Sequence, residues 1–338
     1  MRQAKAVNRR SDEEDVYIGR GSSWGNPFPI GHGRTREQVV ADFEGWANAQ
    51  PWFLDAVRRE LPGQRLGCFC KPEACHGDLL AAIANDPPPQ ARPVFVFGAN
   101  LAGRHGKGAA ATARQAYDAE TGVGEGRTGD AYALPTKDES LTARPLAAIQ
   151  DSAHRLFEAA SAESDRPFLL TPVGTGLAGF DETTMQELLV RAWEDSGSPD
   201  NIHWPGRWVH EGAAPGRDPR PRVIIAGFRT FKDPAFWRDR IERVVERLGD
   251  PTIVSGGAPG ADRIGEVFAH EQGLPMERFP AWWTTLKKAA GPVRNALMGW
   301  RGTHLIALWN GQSHGTKSMI DLAEQAGLKT RVLRPKEA

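Results

Sequence analysis

The residues with the clearest chemical potential lie in segment 253–265, IVSGGAPGADRIG. A β-branched run is followed by two glycines, a Pro-Gly pair and a stretch typical of the first turn of a helix. This order presents backbone N–H groups and a helix N-terminus to an anion, and glycine lets a phosphate approach the main chain. Asp262 is expected to hold a ribose hydroxyl or to favour the helix dipole. The alternative is a tight turn without a ligand. The candidate ligand-binding residues are Ser255, Gly256, Gly257 and Gly260.

Three further segments of the C-terminal third carry glycine or polar residues beside an apolar run. They are 222–231 (RVIIAGFRTF), 289–298 (AAGPVRNALM) and 304–323, in which Gly-Thr-Lys opens a helix. The alternation of strands and helices predicts a doubly wound, Rossmann-like parallel sheet, whose ligands lie outside the carboxyl ends of the strands. Arg294 and Asn295 are expected at a helix start. The candidate ligand-binding residues of these segments are Gly227, Arg229, Arg294, Asn295, Gly315 and Thr316.

The motifs GFRTF, SGGAPGAD, GPVRN and GTKSMI closely resemble the SLOG superfamily, and within it the YspA-like branch. This superfamily includes DprA-type DNA-processing proteins and LOG-type nucleoside-monophosphate hydrolases. The resemblance covers about 221–335 and implies a nucleotide or nucleotide-derived ligand on the glycine loops. LOG hydrolases carry a glutamate three residues after the Gly-Thr pair, where this chain has Met319. Asp321 would lie on roughly the opposite helix face, so the resemblance implies binding but not LOG-type hydrolysis.

Length and composition limit the class of protein. The 338 residues predict two or three domains, and 40% hydrophobic and 25% charged residues are typical of globular proteins. No apolar run approaches the ~20 residues that span a bilayer, and residues 1–15 lack the apolar core of a signal peptide. Three cysteines within eight residues give no disulfide framework. We therefore expect a cytoplasmic protein without a membrane partner.

Two linkers divide the chain. Residues 85–93 are proline-rich, and residues 210–221 are rich in glycine, proline and charge. The predicted domains are a small Cys/His-containing domain at 1–86, a nucleotide-binding domain at 93–209 and a Rossmann-like domain at 221–338. Each is large enough for its own core, although the first is marginal alone. By analogy with other α/β nucleotide domains, a homo-oligomer is a further expectation.

The N-terminal third contains a second chemical cluster, LGCFCKPEACHGD. Zinc held by Cys68, Cys70, Cys75 and His76 is disfavoured, because neighbouring residues 75 and 76 would have to ligate together and no second ligand cluster exists. A reactive thiolate is the second interpretation: Cys75 near a helix N-terminus would have a lowered pKa, and His76 could assist. The third is a buried structural pair of Cys68 and Cys70. We favour Cys75 and His76 as catalytic residues, without a metal.

A helix is predicted at 35–47, with Thr35 as its cap. Arg20, Trp24 and Asn26 could complete a polar pocket with the Cys/His segment. The motifs YIGRGSSWGNPF and GCFCKPEACHGD resemble a small domain of unknown function found in bacteria and phages. This resemblance covers about 16–80 and implies no activity.

The central third contains two glycine-rich loops. The first follows an apolar run that begins at residue 93, and the second ends segment 167–180, PFLLTPVGTGLAGF. Helices are predicted at 141–162 and 181–194, which indicates another α/β unit. Two such loops can wrap a diphosphate, and the alternative is a pair of ordinary turns. The candidate ligand-binding residues are Asn100, Gly106, Gly108, Gly174, Gly176, Gly179 and Phe180.

These central features resemble the macro-domain fold: an Asn after the first long strand, a glycine-rich segment before a helix, and a P-x-G-x-G-x-x-G-F loop. The resemblance covers about 93–208 and implies an α/β/α module that binds ADP-ribose or a related nucleotide. The chain has Gly-Ala-Asn, ending at Asn100, where macro domains carry Asn-Ala-Ala-Asn, so the contacts to the distal ribose stay open. Asp138 or His105 could activate a water, and the alternative for both is a solvated loop residue.

Together these patterns predict a protein that binds an NAD-derived or ADP-ribosyl nucleotide and hydrolyses it at the ribosyl C1′ bond. Asp262 and Asp138 are the candidate carboxylates that would stabilise an oxocarbenium-like transition state. The small-molecule nucleotide is the expected partner, and no other cofactor is assigned. Two alternatives stay open. One is a non-catalytic nucleotide sensor, favoured by Met319. The other is a DprA-like nucleic-acid processing factor, disfavoured by the formal net charge of zero.

Overall fold

Three β-sheets, one in each third of the chain, organise the structure. This computed structural model describes residues 2–31, 33–85, 92–216, 218–230 and 234–334. Helices are interleaved with the strands in all three units, so the predicted mixed α/β class is confirmed. Most of the predicted proline-rich linker, residues 86–91, lies outside the described residues, as does residue 217 of the second linker. Within the described ranges, no helix has the length and apolarity needed to cross a bilayer.

The N-terminal unit is a small three-stranded parallel sheet with three helices. The strand order is β1-β3-β2. Thr35 caps the first helix, as predicted, and forms a reciprocal capping box with Gln38. Val39 and Phe43 of this helix are buried. The elements are β1 (Lys5–Asn8), β2 (Val16–Tyr17), α1 (Arg36–Asn48), α2 (Pro51–Glu60), β3 (Arg65–Cys68) and α3 (His76–Asn85).

The central unit is a five-stranded sheet of order β5-β6-β4-β7-β8, parallel except for the β5–β6 pair. The predicted helix at 141–162 starts later, at Leu146. Leu141 has a φ of 69°, and Pro145 at the N-cap is extended, so the chain before Leu146 is a turn. The elements are β4 (Val94–Asn100), α4 (Gly108–Ala116), β5 (Gly126–Thr128), β6 (Ala131–Lys137), α5 (Leu146–Ala162), β7 (Phe168–Leu170), α6 (Glu182–Asp195), β8 (Ile202–His203) and α7 (Gly206–His210).

The C-terminal unit confirms the predicted Rossmann-like sheet. Its five strands are all parallel, in the order β11-β10-β9-β12-β13. The order reverses between β9 and β12, and ligands of such folds bind beyond the carboxyl ends near this point. The elements are β9 (Arg222–Gly227), α8 (Pro234–Val245), β10 (Thr252–Ser255), α9 (Ala261–Glu271), β11 (Met276–Arg278), α10 (Trp283–Leu286), α11 (Ala290–Arg301), β12 (His304–Leu308), α12 (His314–Gln325) and β13 (Lys329–Leu333).

One hydrophobic cluster joins the three units. It contains Phe43 and Phe53 of the N-terminal unit, Phe97 of the central unit, and Phe279 and Leu305 of the C-terminal unit. Two smaller clusters fill the remaining faces of the central and C-terminal sheets. From the composition of the linkers and the length of the units we expected a separate core for each unit. These two features contain no information on which outer faces of the units are apolar. The shared cluster therefore fixes how the units sit against each other.

Helix α2 lies at the centre of this shared cluster. The Trp52 indole stacks on Phe279 of the C-terminal unit, with ring centroids 5.1 Å apart and planes 5° apart. It also meets the edge of Trp300 at 5.8 Å. The Trp300 indole N–H donates in turn to the carbonyl of Leu170 in the central unit. These aromatic contacts connect all three units through one helix.

The buried guanidinium of Arg278, at the end of β11, joins the N-terminal and C-terminal units. It forms a two-pronged ion pair with Glu266, at 3.0 and 3.1 Å. Its third nitrogen donates to the carbonyls of Gly25 at 2.6 Å and Ser23 at 3.4 Å. The backbone N–H of Arg278 donates to Gln50 Oε1 at 2.9 Å. These bonds satisfy the Arg278 guanidinium, whose charge would otherwise be costly to bury. The side chain can therefore lie inside the interface.

We predict that Arg278→Met lowers the free energy of unfolding by about 3–5 kcal/mol, because it leaves the Glu266 carboxylate buried without its partner. Chemical denaturation measures the effect. Arg263→Ala is the matched control, because exposed Arg263 contacts the same carboxylate at 3.2 Å, and we expect a loss below about 1 kcal/mol. Equal losses in the two variants would contradict this role for Arg278.

Candidate functional site

A cleft of about 420 Å³ opens at the carboxyl ends of β9, β10 and β11. It combines loops of the C-terminal unit with one loop of the N-terminal unit. The lining residues are Ser23, Arg229, Gly256, Gly257, Ala258, Pro259, Ala281, Trp283 and Arg294. The segment 253–265 and the predicted arginines thus meet in one place.

The glycine loop is braced by its own side chains. Asp262 Oδ2 accepts from the N–H groups of Gly256 and Ala258, at 3.0 and 3.3 Å. Ser255 Oγ accepts from the N–H of Gly257 at 3.0 Å and donates to Glu266 at 2.7 Å. These N–H groups are therefore bonded within the protein, whereas the sequence led us to expect them free for a phosphate.

The glycines serve close packing. A Cβ atom on Gly256 would lie 1.6 Å from Arg294 Nη1, and one on Gly257 would lie 2.7 Å from Ser23 Oγ. Gly257 also has a φ of 69°, which side chains rarely adopt. Gly260 has a φ of 91°, and a Cβ there would lie 2.6 Å from Arg229 Cα. The absence of side chains lets Arg294, Ser23 and Arg229 reach the rim of the cleft.

Two guanidinium groups give the cleft its positive charge. Arg294 donates to Asn295 Oδ1 at 3.0 Å and approaches Asp262 Oδ2 at 3.5 Å. Arg229 is exposed and has no ion-pair partner among the residues that the structure describes. Burial raises the pKa of the Asp262 carboxyl, and the nearby Arg294 opposes that rise. Arg229 is thus the cation most available to an incoming anion.

Trp283 forms an aromatic wall on one side of the cleft. Its side chain is 54% exposed at the first position of α10. Glu60 of α2 anchors this short helix by accepting from the N–H groups of Thr284 and Thr285, at 2.7 and 2.9 Å. Thr285 Oγ1 donates to the same carboxylate at 2.8 Å. A residue of the N-terminal unit therefore positions the aromatic wall.

The remaining predicted residues of α11 and α12, other than Arg294, lie outside the cleft lining. We expected Arg294 and Asn295 at a helix start. Helix α11 instead starts at Ala290, so both residues lie in its second turn. Asn295 donates to the carbonyl of Gly315 at 3.4 Å, and Thr316 bonds to the cap of α12. Asn295, Gly315 and Thr316 connect two helices and do not line the cleft. Gly227 packs against the β12 carbonyl of Leu308.

In the central unit, the two predicted loops follow neighbouring parallel strands, β4 and β7. A Cβ on Gly98 would lie 3.6 Å from Gly174 N, and β4 pairs with β7 next to the point where the strand order reverses. The Asn100 side chain is bonded to both backbone groups of Arg104, so it holds its own loop. The predicted glycines with no neighbour within 4 Å of an added Cβ are Gly106, Gly108, Gly176 and Gly179. Phe180 ends the second loop and packs against the central core.

Asp138 is not part of the C-terminal cleft. Its carboxylate accepts from the N–H groups of Ser140 and Thr142, both at 2.9 Å. The Thr142 N–H is the main cause of a lowered pKa for Asp138. His105 is buried edge-on against Phe97 at 5.0 Å, and burial lowers its pKa. The structure therefore does not bring together the two predicted carboxylates, Asp262 and Asp138.

The predicted cysteine cluster forms beside a second cavity, of about 280 Å³. Arg20 and Asn26 line this cavity together with Cys68, Cys70 and His76, whereas Trp24 is buried in the core. The three thiols are free, and their sulfurs lie within 4.8 Å of one another.

The expected lowered pKa of Cys75 is wrong. The hydrogen bond between Cys75 and Cys68, followed by burial, raises the pKa of the Cys75 thiol. The same bond lowers the pKa of Cys68 to about 5. His76 Nε2 bonds to the carbonyl of Ile18 at 2.9 Å, and burial lowers its pKa. The position of Cys75 near a helix start led us to expect a lowered pKa for this thiol. The neighbouring Cys68 has the largest effect on the pKa of Cys75 and raises it.

Comparison with known proteins identifies both ends of the chain. Residues 1–86 match DUF4326, a domain of unknown function. A curated relative, the uncharacterized 12.4 kDa protein in the nrdA-td intergenic region of Enterobacteria phage T4, is 35% identical over 96 residues, which cover 25% of this chain and 80% of that protein. The chain belongs to the DUF4326 family. Residues 221–285 match YAcAr, the YspA, cpYpsA-related SLOG family. No solved structure matches the chain.

These matches confirm the resemblances noted for the two ends of the sequence. The SLOG match covers the glycine loop and Arg229, which indicates a nucleotide-related ligand for this cleft. Ser23 of the DUF4326 domain enters that cleft, with its hydroxyl 3.0 Å from the Gly257 carbonyl. Each match alone concerns one end of the chain, so only the structure shows that the two domains share a site.

Sequence reasoning missed four residues of the site: Ser23, Glu60, Trp283 and Arg278. The first lies in the GSSWG motif, whose glycines and serines gave a signal for a loop but none for its partner 234 positions away. Glu60 is one of 42 acidic residues and carries no motif. Trp283 lies outside the segments whose composition indicated a ligand site. Long-range packing, which no local pattern reports, brings these residues to the cleft.

We predict that Glu60→Gln loosens α10, because an amide replaces the carboxylate that accepts three hydrogen bonds. The amides of Thr284 and Thr285 should exchange faster with solvent in hydrogen-exchange mass spectrometry, and the free energy of unfolding should fall by about 0.5–2 kcal/mol, as for a lost helix cap. Glu44→Gln, on the exposed face of α1, is the control and should change neither value. Unaltered exchange in Glu60→Gln would show that the cap does not hold α10.

Proposed function

We propose that the cleft between the DUF4326 and SLOG domains binds a phosphorylated nucleotide. The observation that carries this proposal is the pair of guanidinium groups at the rim, of which Arg229 has no ion-pair partner among the described residues. Arginine binds phosphate oxygens through charge-assisted hydrogen bonds, often two at a time. The start of α9, whose cap Gly260 offers no side chain, adds favourable dipole charge at the same edge.

The rest of the cleft suits a nucleoside. The exposed indole of Trp283 offers a flat surface on which a base can stack. Ser23 and the loop carbonyls supply polar partners opposite this wall. The ligand would therefore lie with its phosphates towards Arg229 and Arg294 and its base towards Trp283, in a space of about 420 Å³.

The proposed ligand is an NAD-derived or ADP-ribosyl nucleotide. Two separate guanidinium groups favour a diphosphate over a single phosphate, because each can neutralise one phosphoryl group. Met319, at the position of the LOG glutamate, lies on the buried face of α12 and has no carboxylate that could act on a ligand. This favours a binding or sensing role over LOG-type hydrolysis.

We predict that ADP-ribose raises the melting temperature of the full chain more than AMP does, because a ligand that binds only the native state stabilises it by mass action. Arg229→Gln should weaken this binding about 10- to 100-fold, the loss expected for a hydrogen bond to a charged group. Arg238→Gln is the control, since Arg238 is paired with Glu271 at 2.6 Å on α8 and lies outside the cleft.

The panel should contain NAD, ADP-ribose, AMP and other nucleoside monophosphates, and each mixture should then be separated by chromatography. Intact ligand with a thermal shift supports a sensor. A new product identifies an enzyme and the bond that it breaks. No shift with any nucleotide, or equal affinity in Arg229→Gln, would reject the proposed site.

Hydrolysis at the ribosyl C1′ bond is the second candidate function, and one observation favours it. Asp262 lies under the cleft loop, and burial raises the pKa of its carboxyl, as is common for catalytic carboxylates. In this reaction the bond from C1′ to the leaving group breaks and its electron pair stays on the leaving group. The water oxygen bonds to C1′, and the proton that this water loses passes to the leaving group. The Asp262 carboxylate would stabilise the positive charge that develops at C1′.

We predict for this candidate that Asp262→Asn lowers turnover about 100- to 10,000-fold while ligand binding survives, because the amide oxygen can still accept from the loop N–H groups. The reaction needs the ionised carboxylate. The pKa of Asp262 is raised above 3.8. As the pH is lowered, the carboxylate is therefore protonated, and the wild-type rate should fall, at pH values that are still above 3.8. Asp138→Ala should keep full turnover. Full turnover in Asp262→Asn would exclude this mechanism.

A further inference from the structure

The sulfur atoms of the N-terminal unit are arranged like a ligand set. Cys68 ends β3, Cys70 follows in the next loop, and Cys75 directly precedes α3. The sulfurs of Cys68 and Cys70 are 3.5 Å apart, and all three sulfurs lie within 4.8 Å of one another. Sulfurs bound to one tetrahedral zinc at about 2.3 Å would lie roughly 3.8 Å apart. Small side-chain movements therefore suffice to place one ion between them.

His76, which stands outside the group of three close sulfurs, is the candidate for the fourth ligand. Its Nε2 lies 2.9 Å from the carbonyl of Ile18, and because a carbonyl only accepts, Nε2 must carry the hydrogen. In the neutral ring Nδ1 is then an acceptor, and its partner is Cys75 Sγ at 3.9 Å; a metal ion would take the place of the thiol hydrogen between them. Metal-bound histidines typically donate their other N–H to a backbone carbonyl or a carboxylate in this way.

We propose that Cys68, Cys70, Cys75 and His76 Nδ1 bind one zinc ion. Three thiolates and one imidazole are a common structural zinc set, and soft sulfur ligands select zinc over magnesium or calcium. The sequence argument against zinc was that residues 75 and 76 would have to ligate together and that no second ligand cluster exists. The structure answers the first objection, because Cys75 Sγ and His76 Nδ1 lie 3.9 Å apart at the start of α3. A single site with four ligands needs no second cluster.

The ion would join the end of β3 to the start of α3. His76 also contacts the carbonyl of Ile18, just ahead of the loop that carries Ser23 into the nucleotide cleft. Four protein ligands leave no open position, so the ion has a structural role and activates no water. It would stiffen the base of the Ser23 loop. This inference does not depend on nucleotide binding.

The test uses the full chain, kept reduced. The metal is removed with a chelator, and zinc chloride is then titrated against a competing chelator. We expect one zinc per chain by mass spectrometry of the metal, and a rise in melting temperature on binding. Cobalt(II) in place of zinc should give the intense visible bands of a tetrahedral site and the ultraviolet charge-transfer bands of three thiolates.

The zinc affinities of variants distinguish ligand residues from residues outside the site. Cys70→Ser, at the half-buried position, should lose most of its zinc affinity. Its charge-transfer bands should weaken in proportion to the one thiolate removed from three. His76→Gln should weaken zinc binding by at least about 10- to 100-fold, the loss seen even for outer-shell partners. His154→Gln is the control, because this histidine lies on α5 beside Asp195, and should bind zinc as the wild type does.

A reduced wild-type chain that takes up no zinc would overturn the proposal. So would a cobalt complex without thiolate bands, or an unchanged zinc affinity in Cys70→Ser or His76→Gln. If either variant fails to fold, the stoichiometry and the cobalt spectrum of the wild type still decide the question.

Discussion

The buried ion pair between Arg278 and Glu266 is the interaction on which the site depends. Its two carboxylate oxygens and three guanidinium nitrogens are satisfied together by Ser255, by the 23–25 loop and by each other. Because a buried charge tolerates few alternative arrangements, this pair fixes the register between two domains. Ser255 in turn holds the N–H of Gly257, so the same network shapes the glycine loop.

This arrangement makes the cleft a property of the interface. The C-terminal unit supplies both guanidinium groups, whereas the DUF4326 domain supplies Ser23 and, through Glu60, the position of Trp283. Each of the two contributions of the DUF4326 domain comes from a small part of it: Ser23 lies in one loop, and Glu60 is the last residue of α2. A cleft formed in this way requires the two units to be packed together, and the shared hydrophobic cluster supplies the apolar burial that holds them there.

The sequence predicted the C-terminal sheet well, because β-branched runs and glycine turns are local signals of parallel α/β structure. It also located Arg229, Arg294 and the glycine loop of the cleft. It was less informative on what these residues do. Gly256 and Gly257 were interpreted as a phosphate cradle, but in the fold they admit Arg294 and Ser23. The Ser23 contact spans 234 positions of the chain, and the Arg294 contact comes from a different helix, so spacing within the motif cannot report either one.

A ligand that contacts both domains must couple its binding to their docking. Ser23 and Trp283 lie on opposite sides of the domain interface, and Gly257, with its φ of 69°, brings the Ser23 loop against the SLOG domain. Any nucleotide that favours the docked arrangement stabilises it by the same free energy with which docking strengthens nucleotide binding, because linkage is reciprocal. For the nucleotide proposed above, this reciprocity would couple its binding in the cleft to the docking of the DUF4326 domain.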